Sequence, residues 1–320
     1  MLARIGEALS RVKGALITAH ERPDGDAIGS AIALDMALRY LGIRTVVMLS
    51  DPVPDMYRFL KGTESILMPS SLGWKPEAVV ALDSTEWDRV GEFIHQYLPG
   101  TVTINIDHHA SNREFADLNW VDINAAATGE MVLDLIEYLQ VPIDMDAATA
   151  LYTAMATDTG FFQHGNTTAK VLSKCARLAE LGANPHFISE QIHEYKSFES
   201  LKALGFALSS IQLSPKGSVA WIGLSLADME RLKVKEEELE GFVNYPRSIK
   251  GVEVGILFRQ VETNKVRVGL RSRGQVDVSA IAQAFGGGGH YRAAGCTVAG
   301  DLDEVIEEVV KLCCQRAGEF

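Results

Sequence analysis

Four short apolar segments in the first half of the chain each lead into polar residues, with helical patterns between and after them. The segments cover residues 15–19, 44–49, 78–82 and 102–106, and the helical patterns cover 28–41, 128–139 and 147–157. Apolar runs of this length with helices between them are typical of parallel strands that are buried on both faces. The first half therefore predicts an α/β domain in which helices flank a mostly parallel sheet.

The second half has a different pattern. Apolar and polar residues alternate with period two in three segments, residues 218–224, 252–258 and 265–271. A four-residue turn at 262–265 predicts that the last two segments form a hairpin. Helical patterns near both 278–285 and the end of the chain complete the prediction of a smaller α+β domain.

The domain organisation follows from this change of pattern. A helical, charged stretch separates the two halves. We predict a first domain over residues 1–185, a helical linker over 186–210 and a second domain over 211–320.

Composition and charge exclude several classes of protein. The 320 residues are 47% hydrophobic and 22% charged, as in ordinary globular proteins. No apolar run reaches 18 residues, and the first residues lack the apolar core of a signal peptide, so we expect a cytoplasmic protein without a membrane partner. The net charge of −12 disfavours coating of long duplexes, although five basic residues lie within 259–273.

The segment HERPDGDAIGS, residues 20–30, lies where the first predicted strand ends and a helix begins. His20, Asp24 and Asp26 are three potential metal ligands within seven residues, and the intervening Pro and Gly allow a tight turn. One aspartate could instead cap the helix, but capping needs only one carboxylate.

Three later segments carry further candidates. Asp83 ends the third strand, DHH at residues 107–109 ends the fourth, and Asp158 lies in TDTG after an apolar helix. Taken singly, each of these segments could instead supply a turn residue, a helix cap or a surface group. Because ligands bind outside the carboxyl ends of parallel strands, we expect the segments to meet at one edge of the sheet.

The combined set of candidate ligands favours a metal centre. The set is His20, Asp24, Asp26, Asp83, His108 and Asp158. Four clustered carboxylates would repel one another, and two divalent cations would remove that repulsion. Mixed imidazole and carboxylate ligands favour Mn²⁺, with Mg²⁺ or Co²⁺ as alternatives. Paired cations are typical of in-line phosphoryl displacement.

A glycine run, residues 286–289, precedes His290 and Arg292. Such a run is consistent with a flexible turn, and it also lets backbone N–H groups approach a phosphate closely. We list Gly287, Gly288, Gly289, His290 and Arg292 as candidate substrate-binding residues, together with Arg259, Arg271 and Arg273 of the basic segment.

These motifs, in this order, resemble those of the DHH phosphoesterase family. HxxPDGDxxGS, the strand-end Asp83 followed by Arg89 and Gly91, DHH and TDTG match its four motifs. The segment FGGGGHYRAAG resembles the signature of the DHHA1 domain that often follows. The resemblance covers nearly the whole chain. In many relatives Phe-Arg follows TDTG-x, whereas Gln163 follows Phe162 here.

The resemblance implies roles for single residues. His20, Asp24 and Asp83 would hold one metal, while Asp26, Asp83, His108 and Asp158 would hold the second, with Asp83 bridging. His109 would contact the scissile phosphate, and Asp107 would support the histidines. Arg89 would help to stabilise the oxygens that gain charge, through hydrogen bonds that do not reach the phosphate directly.

The resemblance also implies an activity. The expected enzyme hydrolyses short single-stranded RNA or DNA oligonucleotides and removes the 3′-phosphate of 3′-phosphoadenosine 5′-phosphate, through attack by a water held between two metals. Hydrolysis of cyclic di-AMP or its linear product is the alternative within the family, and a non-catalytic nucleic-acid-binding module is the alternative outside it. A homodimer is a further candidate assembly.

Overall fold

The computed structural model describes residues 1–194, 196–239 and 241–319, except for the side chains of Glu237 and His290. The chain divides into two compact units, Met1–Tyr195 and Lys196–Phe320. Among the described residues, no helix combines the length and apolar character that crossing a bilayer requires.

The N-terminal unit is built on a five-stranded sheet in which every pairing is parallel, with strand order β2-β1-β3-β4-β5. The strands are β1 Gly14–Ala19, β2 Arg44–Val47, β3 Ala78–Leu82, β4 Val102–Asp107 and β5 Leu118–Val121. The predicted α/β class is confirmed. The sequence pattern missed β5, because this edge strand is only partly buried and lacks a continuous apolar run.

The described residues of this unit contain six α-helices. They are α1 Leu2–Arg11, α2 Gly25–Tyr40, α3 Thr128–Tyr138, α4 Met145–Asp158, α5 Ala169–Glu180 and α6 Pro185–His193. Most residues of α2 are buried, and α4 packs directly against it. Gly29 permits this approach, because a Cβ atom there would lie 2.3 Å from the carbonyl oxygen of Ala150.

The topology positions the candidate site. Strands β1, β3 and β4 are neighbours and run in the same direction, so their carboxyl ends lie side by side. His20 and Asp83 directly follow β1 and β3, and the DHH segment starts at the last residue of β4. The predicted convergence of these segments at one edge is confirmed.

The C-terminal unit contains a mixed six-stranded sheet of order β10-β11-β9-β8-β7-β6, in which only β7 and β8 pair in parallel. The strands are β6 Gln212–Leu213, β7 Val219–Leu224, β8 Val254–Glu262, β9 Lys265–Ser272, β10 Gly288–His290 and β11 Ala293–Ala299. The helices are α7 Phe198–Ser209, α8 Leu226–Leu232, α9 Asn244–Ser248, α10 Val278–Ala284 and α11 Leu302–Arg316. The predicted hairpin is confirmed as the β8–β9 pair.

Successive side chains along these strands point to opposite faces of the sheet, and each face packs into its own apolar cluster. Val266, Val268 and Leu270 of β9 pack with residues of α10 and α11. Leu257 of β8 belongs to a second cluster with residues of α7 and β7. The predicted linker at 186–210 contains most of α6 and α7, and the boundary between the units falls between these helices; its exact extent stays a prediction.

Candidate metal centre

The first group of ligands comes from the ends of β1 and β3 and the start of α2. Asp24 caps α2 and accepts hydrogen bonds from the backbone N–H groups of Asp26 and Ala27. His20 Nε2 lies 3.8 Å from Asp24 Oδ1 and 3.4 Å from Asp83 Oδ2. Helix capping and metal ligation by Asp24 are therefore compatible, because the oxygen that caps the helix also faces the imidazole.

The second group lies on the other side of Asp83. His108 Nε2 is 3.6 Å from Asp83 Oδ1, 3.8 Å from Asp26 Oδ2 and 3.7 Å from Asp158 Oδ2. All four side chains are buried or nearly so. Asp83 faces both groups through different oxygens, which is the geometry that a bridging carboxylate needs.

Backbone contacts orient the two imidazoles. The Nδ1–H of His20 donates to the carbonyl oxygen of Glu21 at 2.8 Å, and the Nδ1–H of His108 donates to that of Ala125 at 3.3 Å. In both rings Nε2 is the nitrogen that faces the carboxylates. Such a second contact fixes the orientation of a metal-binding histidine.

The structure thus brings all six predicted ligands together. His20, Asp24 and Asp83 offer atoms that lie within 4.8 Å of one another, and so do Asp26, His108 and Asp158. A third such group joins Asp83 and His108 with His109. Asp83 itself has a φ of +53°, a left-handed conformation that is uncommon outside glycine and is frequently associated with functional sites.

Protonation compensates the clustered negative charge. Burial lowers the pKa of His20, but hydrogen bonds to Asp24 and Asp83 outweigh it and raise the pKa well above 6.5. Burial raises the pKa of Asp158 to about 7, and the charge of Asp83 adds to this. Burial and the charges of Asp83 and Asp158 likewise raise the pKa of Asp26. The cluster therefore retains protons that divalent cations would displace.

His109 is oriented by Asp107. Its Nδ1–H donates to Asp107 Oδ1 at 2.7 Å, and burial, which lowers the pKa of His109, is outweighed by this contact, so that the pKa rises to about 9. The other oxygen of Asp107 accepts from Asn112 Nδ2 at 2.6 Å, and Asn112 also bonds Asn105. The imidazolium of His109 is therefore held in place as a hydrogen-bond donor.

Arg89 lies outside this cluster. It ends a short 3₁₀-helix and is exposed, with its guanidinium 3.8 Å from Glu21. Its carbonyl oxygen accepts from the backbone N–H of Glu21 at 2.6 Å. Arg89 is thus tied to the loop that follows His20, and its predicted catalytic role stays a prediction.

The predicted substrate-binding arginines separate into two places in the C-terminal unit. Arg271 of β9 pairs with Ala293 of β11, and the carbonyl oxygen of Arg292 accepts from the backbone N–H of the residue before Arg273. Arg273 and Arg292 are exposed. These three arginines lie at one end of the sheet.

Arg259 lies elsewhere on that sheet. It pairs in register with Arg267, four residues or about 13 Å from Arg271 along β9. Both Arg259 and Arg267 form ion pairs with Glu236. This contact partly neutralises the basic segment.

The second half of the glycine run forms strand structure, and Gly286 lies in the turn before it. Gly288 begins β10, the edge strand that pairs with β11. A Cβ atom on Gly287 would lie 2.2 Å from the carbonyl oxygen of Gly295, whereas one on Gly288 would meet no atom within 4 Å. Gly287 is thus explained by packing, and Gly288 leaves open space. The side chain of His290 is outside the described residues.

Several polar residues of the site escaped the sequence analysis. Thr128 Oγ1 donates to Asp83 Oδ1 at 3.0 Å, and Asn166 Nδ2 donates to Asp158 Oδ2 at 3.2 Å. His164, in the position next to the departure from the TDTG pattern, contacts the carbonyl oxygen of Asp158 through Nδ1 at 3.3 Å. No local pattern marks Thr128, because Asp83 lies 45 residues away in sequence, and Asn166 stands outside every motif although Asp158 is only eight residues away.

Family comparisons agree with this geometry. Residues 15–155 match the N-terminal domain model of the DHH family, and residues 219–319 match the DHHA1 domain model. The chain is 37% identical over 309 residues to the bifunctional oligoribonuclease and PAP phosphatase NrnA of Thermus thermophilus, covering 96% of this chain and 91% of the relative. It is 26% identical to the Bacillus subtilis protein of the same name, covering 92% and 93%.

A solved structure has the same architecture. An exopolyphosphatase-related protein from Bacteroides fragilis superposes with a TM-score of 0.89 at 25% identity, covering 99% of this chain and 95% of that protein.

Proposed function

The chain belongs to the DHH family of phosphoesterases, which are metal-dependent hydrolases, and on that premise we propose that it hydrolyses short oligoribonucleotides to mononucleotides and removes the 3′-phosphate of 3′-phosphoadenosine 5′-phosphate. The observation that carries the proposal is the pair of ligand groups on either side of Asp83. The full-length similarity to relatives named for both activities supports the choice of substrates.

The donor set fits two divalent cations. Six buried or half-buried side chains supply imidazole nitrogens and carboxylate oxygens, and the raised pKa values of Asp26 and Asp158 show that these two carboxylates retain protons in place of metal charge. We propose Mn²⁺, since mixed nitrogen and oxygen ligands favour it over Mg²⁺. When bound, such a pair of cations supplies an activated water and neutralises charge on the phosphoryl group.

The chain's own residues would then act as follows. Asp107 holds the His109 ring, so that the imidazolium donates to a phosphoryl oxygen that gains charge during attack. Asp83 would keep the two ligand groups adjacent, because one of its oxygens faces His20 and the other faces His108. Arg89 keeps the loop after His20 in place through Glu21.

We further propose that the C-terminal unit binds the terminal nucleotide of a short single-stranded substrate. Arg271, Arg273 and Arg292, with the open backbone at Gly288 and the neighbouring His290, form the proposed phosphate contacts. Arg259, which pairs with Glu236, would contribute a weaker contact. Replacing Arg271 by Met should raise KM several-fold with little change in kcat, and the same change at Arg259 should have a smaller effect.

A product time course with Mn²⁺ tests the proposal. Purified protein is given a 5′-labelled RNA dinucleotide, a 24-mer, 3′-phosphoadenosine 5′-phosphate and cyclic di-AMP in parallel, with separation by chromatography. Rapid mononucleotide release from the dinucleotide, AMP from the bisphosphate and little action on the 24-mer are expected. Opening of cyclic di-AMP with an inert bisphosphate would establish a cyclic dinucleotide phosphodiesterase instead.

The variant Asp83→Ala supplies the matching negative control. It removes the carboxylate shared by both ligand groups and should abolish metal-dependent hydrolysis. Circular dichroism checks that the fold is retained. Full activity in this variant would contradict the bridging role.

A further inference from the structure

The turn immediately before α3, formed by Ala125 and its two successors and called the α3 turn here, contacts the second ligand group twice. The carbonyl oxygen of Ala125 accepts from His108 Nδ1 at 3.3 Å. The carbonyl oxygen of Ala126 accepts from Asn166 Nδ2 at 2.9 Å, and the same nitrogen lies 3.2 Å from Asp158 Oδ2. The position of this turn therefore sets the positions of His108 and Asp158.

The first residues of α3 hold the third member of the group. The backbone N–H groups of Thr128 and Gly129 donate to Asp26 at 2.7 and 2.8 Å. Two N–H groups at a helix N-terminus are a favourable site for a carboxylate. Three of the metal ligands thus depend on where the α3 turn and the start of α3 lie.

Glu130 fixes that turn from inside the protein. Its side chain is 2% exposed, and Oε2 accepts from the backbone N–H of Ala126 at 2.9 Å. Oε1 lies 2.6 Å from Lys170 Nζ and 3.7 Å from Lys174 Nζ. The carboxylate is therefore compensated by two lysines of α5.

We propose that Glu130 is a positioning residue for the second ligand group, acting through the α3 turn on His108, Asp158 and Asp26. This inference rests on the two-metal site of the proposed function. Partners behind metal ligands typically change metal affinity by about 10–100-fold when they are removed. The larger effect should fall on the second metal. The α3 turn and the start of α3 contact His108 and Asp26 of that group directly, whereas they reach the first group through Asp83, which accepts from Thr128.

The decisive experiment is a Mn²⁺ titration in which free Mn²⁺ is counted by electron paramagnetic resonance. Wild-type protein should bind two ions. Glu130→Ala should weaken one binding step by at least about tenfold and leave the other within threefold. Asp134→Ala is the matched control, because Asp134 lies on the same helix and pairs with the same two lysines. Among the described residues its ion pairs run to these lysines and away from the α3 turn, so this variant should leave both steps within threefold.

Two further variants keep the inference testable if Glu130→Ala does not fold. Glu130→Gln retains an acceptor for the Ala126 N–H and should restore most of the affinity. Asn166→Ala removes the link between Ala126 and Asp158 and should weaken the same step.

The outcomes distinguish a failure of this inference from a failure of the proposed function. Equal weakening of both steps by Glu130→Ala, the same loss in Asp134→Ala, or unchanged binding in Asn166→Ala would overturn the inference while two-metal binding by wild type stands. Wild-type protein that binds fewer than two ions would overturn both.

Discussion

Replacing Asp158 by Asn should stabilise the metal-free protein and impair metal binding. Burial and the neighbouring carboxylates raise the pKa of Asp158 to about 7. A raised carboxyl pKa means that the folded state binds a proton that the unfolded state releases. The stabilisation from this proton is complete below the ordinary pKa near 3.8 and is lost as pH rises through 7. Above pH 7 the ionised Asp158 therefore destabilises the metal-free fold.

The magnitude follows from the size of the shift. A change from 3.8 to about 7 is roughly three pKa units, and each unit corresponds to about 1.36 kcal/mol. The upper bound is therefore about 4 kcal/mol at pH 8. Asn retains an oxygen that accepts from Asn166, so the hydrogen bond is conserved. We expect Asp158→Asn to gain about 2–4 kcal/mol in the free energy of unfolding.

The assay is urea unfolding in EDTA at pH 5.5 and pH 8. Tryptophan fluorescence reports mainly on the N-terminal unit, which contains Trp74, Trp87 and Trp120 of the four tryptophans. Asp88→Asn, at an exposed aspartate, is the control and should change stability by less than about 0.5 kcal/mol. Adding Mn²⁺ should reverse the order of stability, because the free energy of unfolding should increase more for wild type than for Asp158→Asn. An Asp158→Asn protein no more stable than wild type in EDTA at pH 8 would refute the reasoning.

Three further predictions test other parts of the structure. Gly129→Ala should cost about 1–3 kcal/mol in the same urea unfolding assay and weaken metal binding, because its Cβ atom would lie 2.5 Å from that of Ala154. Gly205→Ala, in α7 of the C-terminal unit and with no atom within 4 Å of the added Cβ, should be neutral or stabilising when unfolding is followed by circular dichroism. Glu319→Gln should destabilise the C-terminal unit by about 1–3 kcal/mol at pH 6. Burial, which raises the pKa of Glu319, is outweighed by hydrogen bonds from Ser214 and Ser218, so that the pKa is lowered to about 2. The stabilisation from Glu319 should therefore disappear between pH 5 and pH 2, as measured by acid titration of circular dichroism. Mn²⁺ binding should release protons and strengthen as pH rises from 6 to 8, which calorimetry in buffers of different ionisation enthalpy would detect; binding independent of pH would contradict the raised pKa values.

Local sequence was sufficient to predict that the candidate ligands lie close together, because most of them are at or just after strand ends. A parallel strand places its carboxyl end at a fixed edge, so the residues after β1, β3 and β4 had to meet once those strands were neighbours. The motif order then identified the family. Helices α1 and α5 carry no motif, so nothing in their sequence ties them to the candidate site.

The supporting residues could not be predicted in this way. Asp26 is held by Thr128 and Gly129, which are more than 100 residues away in sequence. The paths from Glu130 and Asn166 to the ligands run through the backbone of a short turn, where side-chain identity gives no signal.

The C-terminal unit shows the same difference between what the sequence predicts and what the tertiary structure decides. Its basic segment and glycine run are visible in the sequence, but strand register decides that Arg271 lies beside β11 while Arg259 lies opposite Arg267 and pairs with Glu236. Sequence determined which chemical groups are present and at which strand ends they lie. Tertiary structure decided which of them touch, because register and helix packing are set by contacts between residues far apart along the chain.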